Sequence, residues 1–296
     1  MFGPLSLSLA FVGLSPFAIP PQGPDSPFAV SPSREIRVVD GAARTLREGG
    51  ERTGSEALRL SLPLADGRDV ALDLSRFEVL TAGAVAIRDG REDPSLMMAA
   101  RSVVHFRGAV EGFPGSSAYL AISERGATGL IDLGTPGERY ALVPVDRERR
   151  GLVAGPLRLE RSVGVGGPGA ELCGTEGEAE GGTAGYGAVP PGRERRIDIA
   201  VDCDYEFFSI FGDAEAAAEY VASLYGAIST IYRRDCDANI GISFIRVFSS
   251  PDDLFNEPDP LGPFRDHWEA AMGTVERDVA QLLTGRRNLP TAGSRG

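Results

Sequence analysis

Ile197-Asp198-Ile199-Ala200-Val201 reads as a β-strand, with apolar β-branched residues at every second position. The period then changes. Asp213 is suited to accept hydrogen bonds from the first free amides of a helix. Beyond it Ala217, Tyr220, Val221, Leu224, Ile228, Ile231 and Tyr232 recur at three and four residues, one apolar stripe on a helix from about Ala214 to Arg234. Ile240–Phe248 returns to strand. Pro251 to Pro263 is a loop with further breakers at Pro258, Pro260 and Gly262. Phe264, Trp268, Met272, Val275, Val279 and Leu282 then share one helical face, predicting a second helix with Gly285 as its C-terminal stop. A β-α-β-α order predicts parallel strands joined by right-handed crossovers over residues 196–296.

The chain upstream has a different rhythm. Ala57–Leu62 and Val70–Leu74 alternate with period two on either side of the turn Asp66-Gly67. Ala84–Ile87, Ser102–Phe106, Ala118–Ser123, Thr128–Leu133 and Tyr140–Val143 are further strand candidates, punctuated by Gly, Pro and Asp. Residues 34–160 therefore read as an antiparallel β domain, a sandwich or a barrel. Residues 161–195 are Gly-rich with few large apolar side chains, the composition of a flexible connector. The expected class is thus α+β in two parts, with residues 1–33 as a leader.

Composition narrows the partners. The net charge of −12 argues against nucleic acid and anionic membrane surfaces as partners. All 30 basic residues are Arg. Leu5–Leu14 is an apolar run too short to span a bilayer but of the length of a secretory signal core, although no basic residue precedes it. A secreted or periplasmic protein without a membrane span is expected, and a monomer. Of the three cysteines, Cys203 ends the first strand and Cys236 follows the first helix. That helix is ~30 Å long at ~1.5 Å per residue, so the two sulfurs should lie at opposite ends of the layer, beyond the ~7 Å Cα separation a disulfide tolerates.

Cys173, in Glu171-Leu172-Cys173-Gly174-Thr175, sits in the connector, where a lone thiol is unusual because unpaired cysteines are mostly buried. A thiolate on a tether could reach another site and serve as a fourth zinc ligand in place of water. The connector ends in Arg193-Glu194-Arg195-Arg196, and the same tetrapeptide occurs at Arg147–Arg150. Clustered arginines in an exposed segment are sites for processing proteases, with Arg193, Arg195 and Arg196 the candidates here and solvated linker charge the alternative.

Leu172-Cys173-Gly174-Thr175 resembles the cysteine switch in the prodomains of the adamalysin (reprolysin) branch of metzincin zinc proteases. Residues 196–285 resemble the front of their catalytic domain: Ile197–Val201 with Asp202, Tyr205 and Phe211-Gly212 match its first strand and the turn into its first helix; Ile231-Tyr232-Arg233 the end of that helix; and Phe264–Trp268 with Arg277-Asp278-Val279-Ala280-Gln281-Leu282-Leu283-Thr284-Gly285 its second helix, the last run being the most specific piece. Phe106–Val110 and Gly115–Ala118 look more faintly like the propeptide. The resemblance implies a precursor of a zinc metalloendopeptidase acting on protein or peptide substrates, with Cys173 as its latency thiolate. It also implies a structural calcium held in part by an acid on the first strand and another in the second helix, just before Ala-Gln-Leu-Leu-Thr, positions filled by Asp198 and Asp278. The family's zinc helix, H-E-x-x-H-x-x-G-x-x-H, is absent from these 296 residues, and the two histidines, His105 and His267, are far apart in sequence. Neither is assigned to zinc, no zinc is expected in this chain, and a precursor cut short and inactive is the expectation. The competing reading, from another class, is a non-catalytic secreted protein that binds or inhibits through its β domain. Two further expectations follow: the β domain should resist proteases better than residues 196–296, and Cys173 should react faster with thiol reagents than Cys203 or Cys236.

Overall fold

One helix lies between two sheets and touches both. The computed structural model describes residues 26–53, 57–146, 148, 151–162 and 195–286. In chain order the elements are β1 (Phe28–Val30), β2 (Ile36–Val38), α1 (Ala42–Thr53), β3 (Ala57–Pro63), β4 (Asp69–Phe77), β5 (Leu80–Arg88), β6 (Arg91–Glu92) and α2 (Pro94–Ser102). Then come β7 (Val104–Val110), β8 (Ser117–Ser123), β9 (Gly126–Asp132), β10 (Arg139–Pro144) and β11 (Leu157–Arg161). The last part holds β12 (Arg195–Cys203), α3 (Tyr205–Phe211), α4 (Ala214–Cys236), β13 (Ala238–Val247), α5 (Leu261–Ala271) and β14 (Val279–Leu283).

The first sheet has nine strands in the order β1-β2-β11-β10-β9-β8-β7-β4-β3, each antiparallel to its neighbours. It curls until its far strands meet: Leu64 bridges Leu159, and the Ala65 amide donates to the Leu159 carbonyl at 3.2 Å. The period-two alternation in the sequence has its cause here. Leu58, Leu60 and Leu62 of β3 and Val70, Leu72 and Leu74 of β4 point into the curl with Phe106, Leu120, Ile131 and Leu142, while Arg59 and Asp73 pair outside.

The second sheet is mainly parallel, in the order β14-β12-β13-β5-β6. β12 runs parallel to both β13 and β14, and β5 runs parallel to β13 with Ala86 opposite Ile245. Two strands from the N-terminal part therefore belong to the C-terminal sheet, so the sheet boundary does not fall where composition changes. Ala84–Ile87, expected in the β domain, is a strand of the other sheet.

α4 occupies the space between the two. Asp213 caps it, its Oδ1 accepting from the Glu215 amide at 2.9 Å. Val221, Ala222 and Tyr225 pack with Val201, Ile242 and Ile245 of the parallel sheet. Ser223 and Gly226 lie against β7 and β8. A Cβ on Gly226 would come within 2.4 Å of the Tyr119 hydroxyl and 2.8 Å of His105 Nδ1, so a side chain there would hold helix and sheet apart. Ion pairs to the N-terminal part clamp the helix at both ends: Arg125 reaches Asp213 at 2.9 Å and Glu219 at 3.0 Å, and Arg234 of α4 reaches Asp132 at 3.0 Å.

The expected second helix is corrected. α5 ends at Ala271, and Val279–Leu283 is a strand parallel to β12. Gly273 follows the helix end. The three-and-four spacing survives because Met272 and Val275 still pack on the Trp268 cluster from the turn, while Ala280 and Leu282 reach it from alternate positions of β14. α1, α2 and α3 are additional helices that the periodicity did not indicate. Cys203 is buried, Cys236 is exposed and both are free, as the antiparallel course of β12 and α4 requires. The exposure of Cys236 corrects the expectation that packing would shield it, leaving Cys203 as the protected thiol.

Buried between sheet and helix, Tyr119 donates its hydroxyl to the Ser223 carbonyl at 2.7 Å, so its oxygen must accept from His105 Nδ1 at 3.1 Å. That bond puts a proton on Nδ1, and burial away from water keeps the ring neutral. Burial first, and then the Arg76 charge, lower its pKa to about 3. A depressed histidine pKa means that the stability it supports is whole above ~6.5 and drains away as pH falls toward 3, at about 1.4 kcal/mol per pH unit. Urea midpoints at pH 7 and pH 4.5 should thus differ less in His105→Phe than in the wild-type protein; equal pH dependence in both would contradict this. Gly226→Ala should lower stability by about 1–3 kcal/mol, and Tyr119→Phe in the same chain should recover part of that loss. A neutral Gly226→Ala in thermal unfolding would show that helix and sheet are not in contact there.

Candidate functional site

The sequence positions that carry chemistry converge on β12 and β14. Asp198 and Asp278, eighty residues apart, are neighbours: the Asp278 amide donates to the Asp198 carbonyl at 2.7 Å and the Asp198 amide donates to Asp278 Oδ2 at 2.8 Å. The Asp198 carboxylate meanwhile accepts from Arg196 Nε at 2.6 Å, and both side chains stand over Gly241 of β13. Each acid thus already has a partner, one a guanidinium and the other a backbone amide. Calcium takes six to eight oxygens, and no group of three or more His, Cys, Asp or Glu suited to a metal occurs among the described residues. By themselves these residues do not fit the ion.

Deeper in the same layer lies a buried charge pair that the sequence reading passed over. Asp202 of β12 is opposite Arg246 of β13. Arg246 Nε donates to Asp202 Oδ1 at 2.9 Å, its Nη2 donates to Oδ2, and Trp268 Nε1 of α5 donates to the same oxygen at 2.9 Å. Burial lifts the Asp202 carboxyl above its ordinary range, and the Arg246 and Trp268 hydrogen bonds draw it back. Arg246 Nη1 also donates to His267 Nε2 at 2.9 Å, so this imidazole is neutral with its proton on Nδ1. Burial and then the Arg246 charge lower its pKa. Phe244, Phe248 and Trp268 surround the guanidinium at 5.9, 5.2 and 5.9 Å. With both Asp202 oxygens engaged and its side chain fully buried, the pair positions α5 on the sheet. Removing one partner of such a pair costs about 3–5 kcal/mol, because it strands a buried charge. A signal was present in the sequence: Arg246 interrupts an apolar run, and Asp202 interrupts the other strand of the same kind.

His105 and His267 lie in separate cores, one against α4 and the other under α5. Cys173, Arg193 and the Arg147, Arg149 and Arg150 positions lie outside the described residues. Arg195 and Arg196 are inside β12, paired with Ala238 and Asn239. No helix among the described residues is long and apolar enough to cross a membrane.

A scan of family models finds none that matches the chain, and a search of curated proteins finds no match.

The placement of Arg195 and Arg196 separates the two halves of the basic cluster. A protease must draw several residues of its substrate out as an extended chain, which here would strip β12 from β13. Native protein treated briefly with trypsin should yield no fragment beginning at Arg196 or Ile197, whereas urea-treated protein should. Mass spectrometry showing a new amino terminus at Ile197 from native protein would contradict the paired strand.

Proposed function

We propose that this chain is the precursor of a secreted, monomeric zinc metalloendopeptidase of the adamalysin type, with residues 34–160 as prodomain and residues 196–296 as the front of the catalytic unit. One observation carries the reading. The segment with the most specific resemblance, Arg277–Gly285, is a turn and strand where the match was to the family's second helix, but it runs beside the matched strand Ile197–Val201 and brings Asp198 and Asp278 into direct hydrogen bonding. Residues matched separately along the sequence are thus neighbours in the fold. The intimate packing of the N-terminal part, which lends β5 to the catalytic sheet and clamps α4, suits a prodomain that folds with its enzyme.

In this reading zinc would polarise a peptide carbonyl and activate water. The described residues do not fit zinc, since His105 and His267 are held in different cores, and no step of hydrolysis is assigned to them. Cys173 would supply the latency thiolate. Calcium at Asp198 and Asp278 would need ligands beyond those described and the release of Asp198 by Arg196. Substrates would be proteins or peptides.

The test starts from the gene. Translation past the Gly296 codon should reveal H-E-x-x-H-x-x-G-x-x-H within about a hundred codons in one frame. Protein extended through that motif should hydrolyse a denatured protein in a chelator-sensitive manner, Cys173→Ala should raise its rate, and the 296-residue chain should be inactive. A downstream sequence without the motif in any frame would overturn the reading and favour the non-catalytic binding protein.

A further inference from the structure

The two histidines use opposite ends of a hydrogen bond. His105 donates from Nδ1 to Tyr119 and is buried, so a further proton on its ring would leave that bond in place. His267 must accept. A guanidinium has only N–H groups to offer, so Nε2 of His267, 2.9 Å from Arg246 Nη1, takes the bond with its lone pair. That contact exists only while Nε2 carries no proton. His267 is half-buried on the last turns of α5, so its ring has water to turn into.

Arg246 can neither follow the ring nor retreat from it. Its Nε and Nη2 are both held by Asp202, whose side chain is fully buried. The rings of Phe244, Phe248 and Trp268 enclose the guanidinium. Apart from His267, Nη1 meets only the Met272 sulfur among the described residues, at 3.8 Å, and a thioether is a weak acceptor. Protonation of His267 would therefore set a second cation against a fixed one and leave a buried N–H without a strong partner.

Each neighbouring element contributes to the setting of this ring. β12 brings Asp202 and β13 brings Arg246. The loop after β13 brings the Phe255 ring, 6.4 Å away, and β14 sends the apolar Ala280 and Leu282 into the aromatic cluster of Phe255 and Trp268. The turn after α5 brings Met272 and Arg277, whose guanidinium lies over Trp268 at 4.3 Å and donates to the Met272 and Val275 carbonyls. On α5 itself Arg265 pairs with Asp266 and Glu269. Burial first, and then the Arg246 charge, oppose protonation of the ring, while Asp202 favours it; the net pKa is below the ordinary value.

We propose that His267 is a pH-sensitive latch on the C-terminal end of α5. When Nε2 takes a proton from water, the bond to Arg246 breaks, the ring turns outward, and the helix end loosens with the turn through Val275. Trp268 Nε1 continues to donate to Asp202, and Phe264 stays in the aromatic cluster, so the rest of α5 remains docked. Met272 and Val275 form one wall of a cleft of about 720 Å³ beside β5, and opening the latch moves that wall. The open ring has an ordinary pKa of about 6.5 and the closed one a lower value. The latch is therefore whole above ~6.5 and weakens, by up to about tenfold per pH unit, as pH falls toward that lower value. It is independent of any peptidase activity.

Amide hydrogen exchange of the full chain, corrected for the intrinsic effect of pH on exchange, reads the latch directly. Between pH 6.5 and 5.5, protection in peptides covering residues 264–272 should fall by about three- to fivefold relative to peptides from β3 and β4 of the same sample. His267→Gln keeps an oxygen to accept from Arg246 Nη1 and removes the titrating group, so in that variant the fall should be absent. A second readout needs no exchange. The chain has only two histidines, so the ring-proton magnetic resonance signal that disappears in His267→Gln belongs to His267, and it should titrate below 6.5. A His267 signal titrating at 6.5 or above would overturn the proposal. So would α5 protection that is unchanged between the two pH values in the wild type, or that changes equally in the wild type and His267→Gln.

Discussion

The burial of α4 between two sheets is the constraint on which the remaining structure depends. A helix against one sheet needs one apolar stripe, with polar residues on its other side. α4 must present two faces that exclude water, and its sequence meets that demand with small residues: Ala217, Ala218, Ala222, Ser223, Gly226, Ser229 and Thr230 are all buried. The absence of a side chain on Gly226 lets Tyr119 reach the Ser223 carbonyl. Arg125 and Arg234 fix the helix along its axis, and β5 crosses from the N-terminal part to continue the sheet beneath it. Packing, ion pairs and strand pairing thus join the two parts of the chain around one element.

This arrangement changes what the N-terminal part means for function. A prodomain joined only by a linker could separate without altering the enzyme. Here separation would uncover one face of α4, leave β13 with an open edge and strand the acids now paired with Arg125. The expectation that residues 34–160 form the tougher, independent piece does not suit such a fold, because Leu96, Ala100 and Tyr119 of that region share a core with Val201, Tyr225 and Ile245. The N-terminal part behaves as a structural complement of the α/β part.

Much of the fold was legible where one period persisted. Ala57–Leu62, Val70–Leu74 and Ile197–Val201 declared themselves by alternation, and α4 by its stripe and its Asp213 cap. The failure at Val275–Leu282 has a physical cause. Residues spaced three and four apart pointed to one apolar cluster, but a turn and a strand both feed that cluster, and spacing alone cannot distinguish them from a helix. The membership of β5 was invisible because its short apolar run fits either sheet. Of the site, Asp198 and Asp278 were placed as neighbours through family resemblance, whereas the Asp202–Arg246 pair needed the strand register, which no local pattern encodes.

The most direct test of a fold shared around α4 is whether its two sheets unfold together. Trp268, the single tryptophan, reports on α5 and the parallel sheet, while pulse-labelled amide hydrogen exchange in peptides from β3, β4, β9 and β10 reports on the antiparallel sheet. Equilibrium urea denaturation followed by both signals should give one transition with coincident midpoints. A Trp268 transition completed at lower urea, with the β signal persisting to a second transition, would show that the parts are separate domains and would contradict the account.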